Sequence, residues 1–165
     1  MIFLTKRDNH YSNQKLHKLL NCFNFEKGLS YKVRFDDSCV YQLEGEDQED
    51  INKLFGYSIG FDHHYDSARF GWFYKEGKVH LYSYVYDKGH RTYDFLCKIE
   101  LNKVYSLSIF AFRDYWEFDV SSSGRINSIF QVRRKSRFKM GYKLWPYFGG
   151  NNTAPHDIKI EMTKI

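Results

Sequence analysis

Apolar and polar positions change period once along the chain. Residues 13–23 place Leu16, Leu19, Leu20 and Phe23 at helical offsets, with Ser12 as an N-cap, and predict a short helix that needs a partner to stay folded. From residue 31 the period is two. Tyr31–Phe35 and residues 38–43 read as strands around the turn Asp36–Asp37. Further strands follow near 54–61, 68–74, 79–86, 91–99, 104–110, 115–120, 126–132, 137–145 and 157–164. Gly77, Gly89, Gly124 and the polar runs 62–67 and 149–153 separate them. Many short strands with little helix predict an all-β chain: a two-sheet antiparallel β-sandwich over 31–165 behind an N-terminal helical extension over 1–30.

Two hairpins can be drawn residue by residue. A two-residue turn at Glu76–Gly77 sets Tyr74 opposite Val79, Trp72 opposite Leu81, Phe70 opposite Ser83 and Ala68 opposite Val85, an apolar face. The other face pairs Phe73 with His80, Gly71 with Tyr82 and Arg69 with Tyr84. A three-residue connection, Asp87-Lys88-Gly89, then places Thr92 and Asp94 beside Tyr84 and Tyr82, and sends Phe95, Cys97 and Ile99 to the core side.

Composition narrows the class without naming a ligand. The chain has 165 residues, enough for one domain, and 42% hydrophobic residues with two prolines, which excludes disorder. Its 25 Lys and Arg against 20 Asp and Glu leave a charge of +5, too small an excess to establish nucleic-acid binding. Aromatics make up 19% of the chain, which favours strands and binding surfaces. No apolar run approaches the 18 residues of a membrane span, and the start, MIFLTKRDNHYSN, lacks the features of a secretory leader, so a cytoplasmic protein is expected. Cys22, Cys39 and Cys97 are odd in number and widely spaced, which reads as reduced thiols.

The candidate ligand platform is the polar face of the three-strand unit: Arg69, Tyr82, Tyr84, Tyr86 and Asp94, with His64 from the preceding loop. Tyrosine supplies a ring face and a hydroxyl, while Arg and Asp supply directed hydrogen bonds. Gly71 opposite Tyr82 leaves room for a depression. The bland alternative is an ordinary solvated sheet face. His63 and His64 are neighbours whose side chains diverge in an extended segment, no third ligand has metal spacing, and no cofactor is implied. His156 continues the inward pattern of Ile158, Ile160 and Met162, a structural position. A second candidate is the basic stretch 132–143, with Arg137, Lys139 and Lys143 as the alternative site and Arg134 read as solvated; the bland reading is an edge strand protected by its charges. No helix-turn-helix, zinc-finger, RNA-reading, P-loop or dinucleotide motif accompanies it.

The run Gly141-Tyr-Lys-Leu-Trp-Pro-Tyr-Phe-Gly-Gly-Asn-Asn-Thr-Ala-Pro-His-Asp-Ile158, with Asn52–Gly56 and Phe61–Trp72, resembles the strands of small concanavalin A-like jelly-roll domains. These include carbohydrate-binding modules, glycan hydrolases and alginate-lyase-like polysaccharide lyases. The resemblance implies a jelly-roll sandwich and raises carbohydrate as the ligand, leaving chemistry open. The hydrolase motif Glu-x-Asp-x-x-Glu is matched only by Glu117 and Asp119, because Ser122 stands where the third carboxylate belongs. The lyase strand Tyr-x-Lys-x-Gly-x-Tyr is matched by Lys139 and Gly141, with Arg137 and Lys143 in place of its tyrosines. The expectation is therefore a noncatalytic binder of a carbohydrate or small anionic molecule. A polysaccharide lyase, another enzyme of the same fold, or a nucleotide-binding protein is the alternative. No membrane partner is expected, and a homo-oligomer is compatible with the sequence.

Overall fold

A computed structural model describes residues 1–13, 28–135 and 141–165. The strands are β1 (Ile2–Thr5), β2 (Gly28–Phe35), β3 (Asn52–Ile59), β4 (Asp66–Lys75), β5 (Lys78–Asp87), β6 (His90–Ile99), β7 (Val104–Ala111), β8 (Tyr115–Ser122), β9 (Arg125–Arg133), β10 (Gly141–Leu144) and β11 (Ile158–Lys164). They form two antiparallel sheets, one ordered β1-β11-β2-β7-β8-β9 and the other β10-β3-β4-β5-β6. The two-sheet antiparallel sandwich is as the alternation predicts. The predicted helix over 13–23 lies almost wholly outside the described residues, as does Cys22; among the described residues only 3-10 turns are helical.

Alternation decides which side chains meet between the sheets. Ala68, Phe70 and Trp72 of β4 and Leu81 and Val85 of β5 are buried with Val33, Phe35, Trp116 and Phe118 of the facing sheet. Aromatic contacts bind the layers: Phe35 to Trp72 at 5.1 Å, Phe70 to Phe118 at 5.2 Å and Tyr31 to Phe55 at 4.8 Å between ring centroids.

The β4–β5 hairpin has the register read from the sequence, from Tyr74 opposite Val79 to Ala68 opposite Val85. Glu76 and Gly77 have φ of 52° and 75°, so both turn residues are left-handed, as the twist of a two-residue hairpin requires.

The next hairpin departs from expectation. Its turn is again two residues, Lys88 and Gly89, because Asp87 pairs with His90. One residue fewer in the turn exchanges the two faces of β6. Arg91, Tyr93 and Phe95 therefore lie beside Tyr86, Tyr84 and Tyr82, while Asp94 sits opposite Ser83 on the other face, so its placement on the platform is corrected. Leu96 is then bulged, and Cys97 and Ile99 return to the core side. Phe95, expected in the core, is 49% exposed.

Two further readings change. Residues 38–43 form no strand: Asp36 caps a 3-10 turn over Asp37–Cys39 by accepting from the Ser38 amide, which diverts the chain. Arg134, read as solvated, is 8% exposed, with Nη1 donating to the Phe112 carbonyl at 3.1 Å and the guanidinium 4.7 Å above the Trp116 ring. It closes the end of β9, the edge strand of the six-stranded sheet.

Candidate functional site

The outward face of the five-stranded sheet carries a cleft of about 930 Å³. Its floor is Ser67 and Arg69 of β4, Tyr84 and Tyr86 of β5 and Arg91 of β6, which the register places side by side. One wall is the loop bearing Phe61, His63 and His64. The other runs from Tyr142 and Lys143 through Trp145 and Tyr147 to Asn151, with Tyr11 and Ser12 of the N-terminal segment beside it.

Arg69 reaches the floor because of Gly56. On β3 two residues, Leu54 and Phe55, stand against Phe70 alone, and this bulge sets Gly56 opposite Arg69. A Cβ at Gly56 would lie 2.0 Å from the Ala68 carbonyl oxygen and 2.7 Å from Arg69 Cγ, so only glycine lets the arginine stem cross there. The guanidinium donates from Nη2 to the Trp145 carbonyl at 2.6 Å, while Nε, also buried, has no hydrogen-bond partner among the described residues. The same bulge pairs Lys53 with Gly71 and so turns the lysine to the cleft face. Its Nζ donates to the Gly149 carbonyl at 3.1 Å and stands 5.1 Å from the Tyr84 ring centre and 5.8 Å from that of Tyr147.

Among the described residues the charged groups that line the cleft are Lys53, Arg69, Arg91 and Lys143, with no Asp or Glu; the Asp50 carboxylate lies behind the lining and accepts from the Asn151 amide at 3.3 Å. Burial, reinforced by Arg69 and Arg91 and opposed by Asp50, pushes the Lys53 ammonium down to about 8. Burial likewise lowers Arg69 to about 10, against the opposing influence of Tyr84, Tyr142 and Tyr147. Arg91 is raised, first by its hydrogen bond to Tyr84.

Tyr84 and Tyr86 meet edge-on at 5.9 Å, and His64 meets Tyr86 edge-on at 5.3 Å. The His63 and His64 rings are 4.2 Å apart rather than divergent, because the chain turns here, with the Tyr65 amide donating to the Asp62 carbonyl and the His64 amide to the Asp62 carboxylate. The Tyr142 hydroxyl is 3.3 Å from His63 Nδ1.

Of the residues singled out from sequence, Arg69, Tyr84, Tyr86, His64 and Lys143 meet at this cleft. Arg137 and Lys139 fall outside the described residues. Tyr82 lies farther along the same face in an aromatic strip, stacked on Phe73 at 5.3 Å and edge-on to Phe95 at 5.6 Å. The space expected above Gly71 is taken by Ile51, whose Cγ2 would be 2.3 Å from an added Cβ. His156 is remote from the cleft lining, with Nε2 2.8 Å from the Ser38 carbonyl. Glu117 and Asp119 project from β8 of the other sheet, where Gln131 donates to Glu117 at 2.7 Å. Among the described residues no cluster of three or more His, Cys, Asp or Glu is placed to hold a metal ion. Sequence reasoning missed Lys53, Arg91, Trp145 and Tyr147. The first depends on a bulge, the second on the shorter turn, and the others on the segment that returns across the sheet after β10.

No protein-family model and no curated protein sequence matches the chain. Solved structures do. An alginate lyase from Klebsiella pneumoniae superposes with a TM-score of 0.64 at 12% identity, over 84% of this chain and 59% of that one, so this chain spans well under two thirds of the lyase. A functionally unknown protein from Saccharomyces cerevisiae gives 0.54 at 11% identity, over 99% and 87%. A carbohydrate binding module from Bacillus subtilis gives 0.42 at 13% identity, over 87% and 72%. At these identities the likeness is one of fold.

Proposed function

We propose that the protein binds carbohydrate, without turnover, in the cleft on the outward face of the five-stranded sheet. The observation that carries this reading is the lining itself. Tyrosine and tryptophan rings from the sheet floor and the returning loop surround fixed hydrogen-bonding groups, an arrangement suited to a ligand with apolar ring faces and polar edges. The fold adds an analogy, since the same sandwich serves an alginate lyase. Calorimetry across neutral and acidic oligosaccharides tests it: Tyr84→Ala should weaken binding by about 1–3 kcal/mol, and Tyr82→Ala, outside the cleft, by much less. Absence of binding throughout the panel, or equal affinity of Tyr84→Ala and the parent, overturns it.

One observation favours a second reading. The Tyr142 hydroxyl beside His63, in the same cleft as Arg69, offers a proton-transfer pair near a cation, the components for removing a proton beside a sugar carboxylate and stabilising the resulting anion. Unsaturated, ultraviolet-absorbing products formed by the parent and lost in Tyr142→Phe would replace the binding reading with an eliminating enzyme.

A further inference from the structure

We infer that Lys53 and Arg69 form an anion seat at the base of the cleft, and that the ligand carries a carboxylate, sulfate or phosphate group that docks there. The inference rests on the cleft being the binding site and assigns the chemical class of what enters it.

Three observations converge on the seat. Arg69 is 7% exposed, yet its buried Nε has no hydrogen-bond partner among the described residues, while Nη2 is held by the Trp145 carbonyl. Buried cations ordinarily sit against a carboxylate, because removal from water is otherwise uncompensated. Here the neighbouring charge is a second cation, Lys53, anchored on the Gly149 carbonyl and directed over the Tyr84 and Tyr147 rings. The third is the composition of the lining. Among the described residues the lining offers cations and tyrosines and no carboxylate to accept from sugar hydroxyls, a balance that favours a ligand bearing negative charge. An anionic group would accept from Arg69 and Lys53 together while its parent ring lay against Tyr84 and Tyr86. Guanidinium and ammonium side by side suit a compact anion with two or more oxygens.

The seat accepts the same chemistry from a uronate, a sulfated sugar or a nucleotide, and matched ligands separate these sources. The probes are a galacturonic acid trisaccharide against its methyl ester, a sulfated galactose disaccharide against its unsulfated form, and adenosine monophosphate against adenosine, each titrated calorimetrically into the whole protein. At least one anionic member should bind about tenfold or more tightly than its neutral counterpart, weakening with added salt. Lys53→Met should erase that preference, whereas Lys32→Met, which removes an equal charge from the outward face of the six-stranded sheet, should retain it. Lys53→Gln, tested alongside, keeps a donor without the charge and should lose the preference equally. Neutral members binding as tightly as anionic ones would refute the seat and leave carbohydrate binding standing. A preference confined to adenosine monophosphate and lost in Lys53→Met would uphold the seat and refute the carbohydrate reading. No binding by any probe would refute both.

Discussion

Lys53 shows how one side chain can be set against the stability of its own fold. Burial lowers its ammonium from the ordinary 10.5 to about 8, so the folded state holds this proton less firmly than the unfolded chain does. Below pH 8 both states are charged and the full desolvation cost is present. Between about 8 and 10.5 the folded protein releases the proton first, and the Lys53 contribution to stability rises with pH. The charges acting on it are Arg69, Arg91 and Asp50. Lys53→Met should therefore be more stable than the parent at pH 7, by about 1–3 kcal/mol after allowance for solvent. Denaturant titrations should show that advantage shrinking toward pH 10.5, since the other titrating groups are common to both proteins. Higher stability with weaker anion binding is the pattern of a functional residue held at a cost. A different residue-scale test separates the two faces of the hairpins. Trp72→Ala should cost about 3–5 kcal/mol, because the ring is buried against Phe35, whereas Phe95→Ala, at 49% exposure, should cost under about 1 kcal/mol.

At the scale of elements, turns and bulges rather than alternation decide which face a strand presents. The Glu76–Gly77 and Lys88–Gly89 turns have the same length and hand, yet only the first matches the reading from sequence. Asp87-Lys88-Gly89 fits a three-residue connection as well as a two-residue one, and the bulge at Leu96 restores the core side before Ile99, so the hydrophobic pattern beyond it cannot reveal the difference. The β3 bulge has a larger consequence, since it brings both Lys53 and Arg69 to the cleft. Gly56→Ala should destabilise the fold by more than about 2 kcal/mol, because the new methyl meets the Ala68 and Arg69 backbone rather than a side chain that can swing away. The measurement is a denaturant midpoint at constant m-value. Arg134→Ala makes a parallel case at the end of β9. Loss of its bond to the Phe112 carbonyl and of its stacking on Trp116 should lower stability by about 1–3 kcal/mol, with little change in ligand affinity or its salt dependence.

For the whole molecule, the two sheets divide their labour. Their facing surfaces hold the apolar alternation, from Trp72 and Leu81 on one side to Phe118 and Val33 on the other. The outward surface of the five-stranded sheet carries the cleft, walled by the loop after β3 and the segment after β10. That segment is tied to the sheet by paired backbone bonds between Lys53 and Tyr147, at 2.8 and 2.9 Å, so the wall and the anion seat form one unit. Tyr147 is further braced by stacking on His10 at 5.0 Å and by Tyr11 edge-on at 5.1 Å, which joins the N-terminal segment to the same wall.

The sequence by itself determined the class of fold, the first hairpin residue for residue, the buried set around Trp72, and the presence of Arg69, Tyr84 and Tyr86 on one outward face. Those features follow from period-two alternation and a glycine turn, which are local in the chain. Tertiary structure alone decided that Lys53 joins them, that Asp94 does not, and that Tyr142, Trp145 and Tyr147 close the cleft from more than fifty residues away in the chain. Each of these depends on a one-residue shift or a long return of the chain. Alternation records which side chains share a face, but not where a bulge exchanges the faces or which distant loop comes to lie over them.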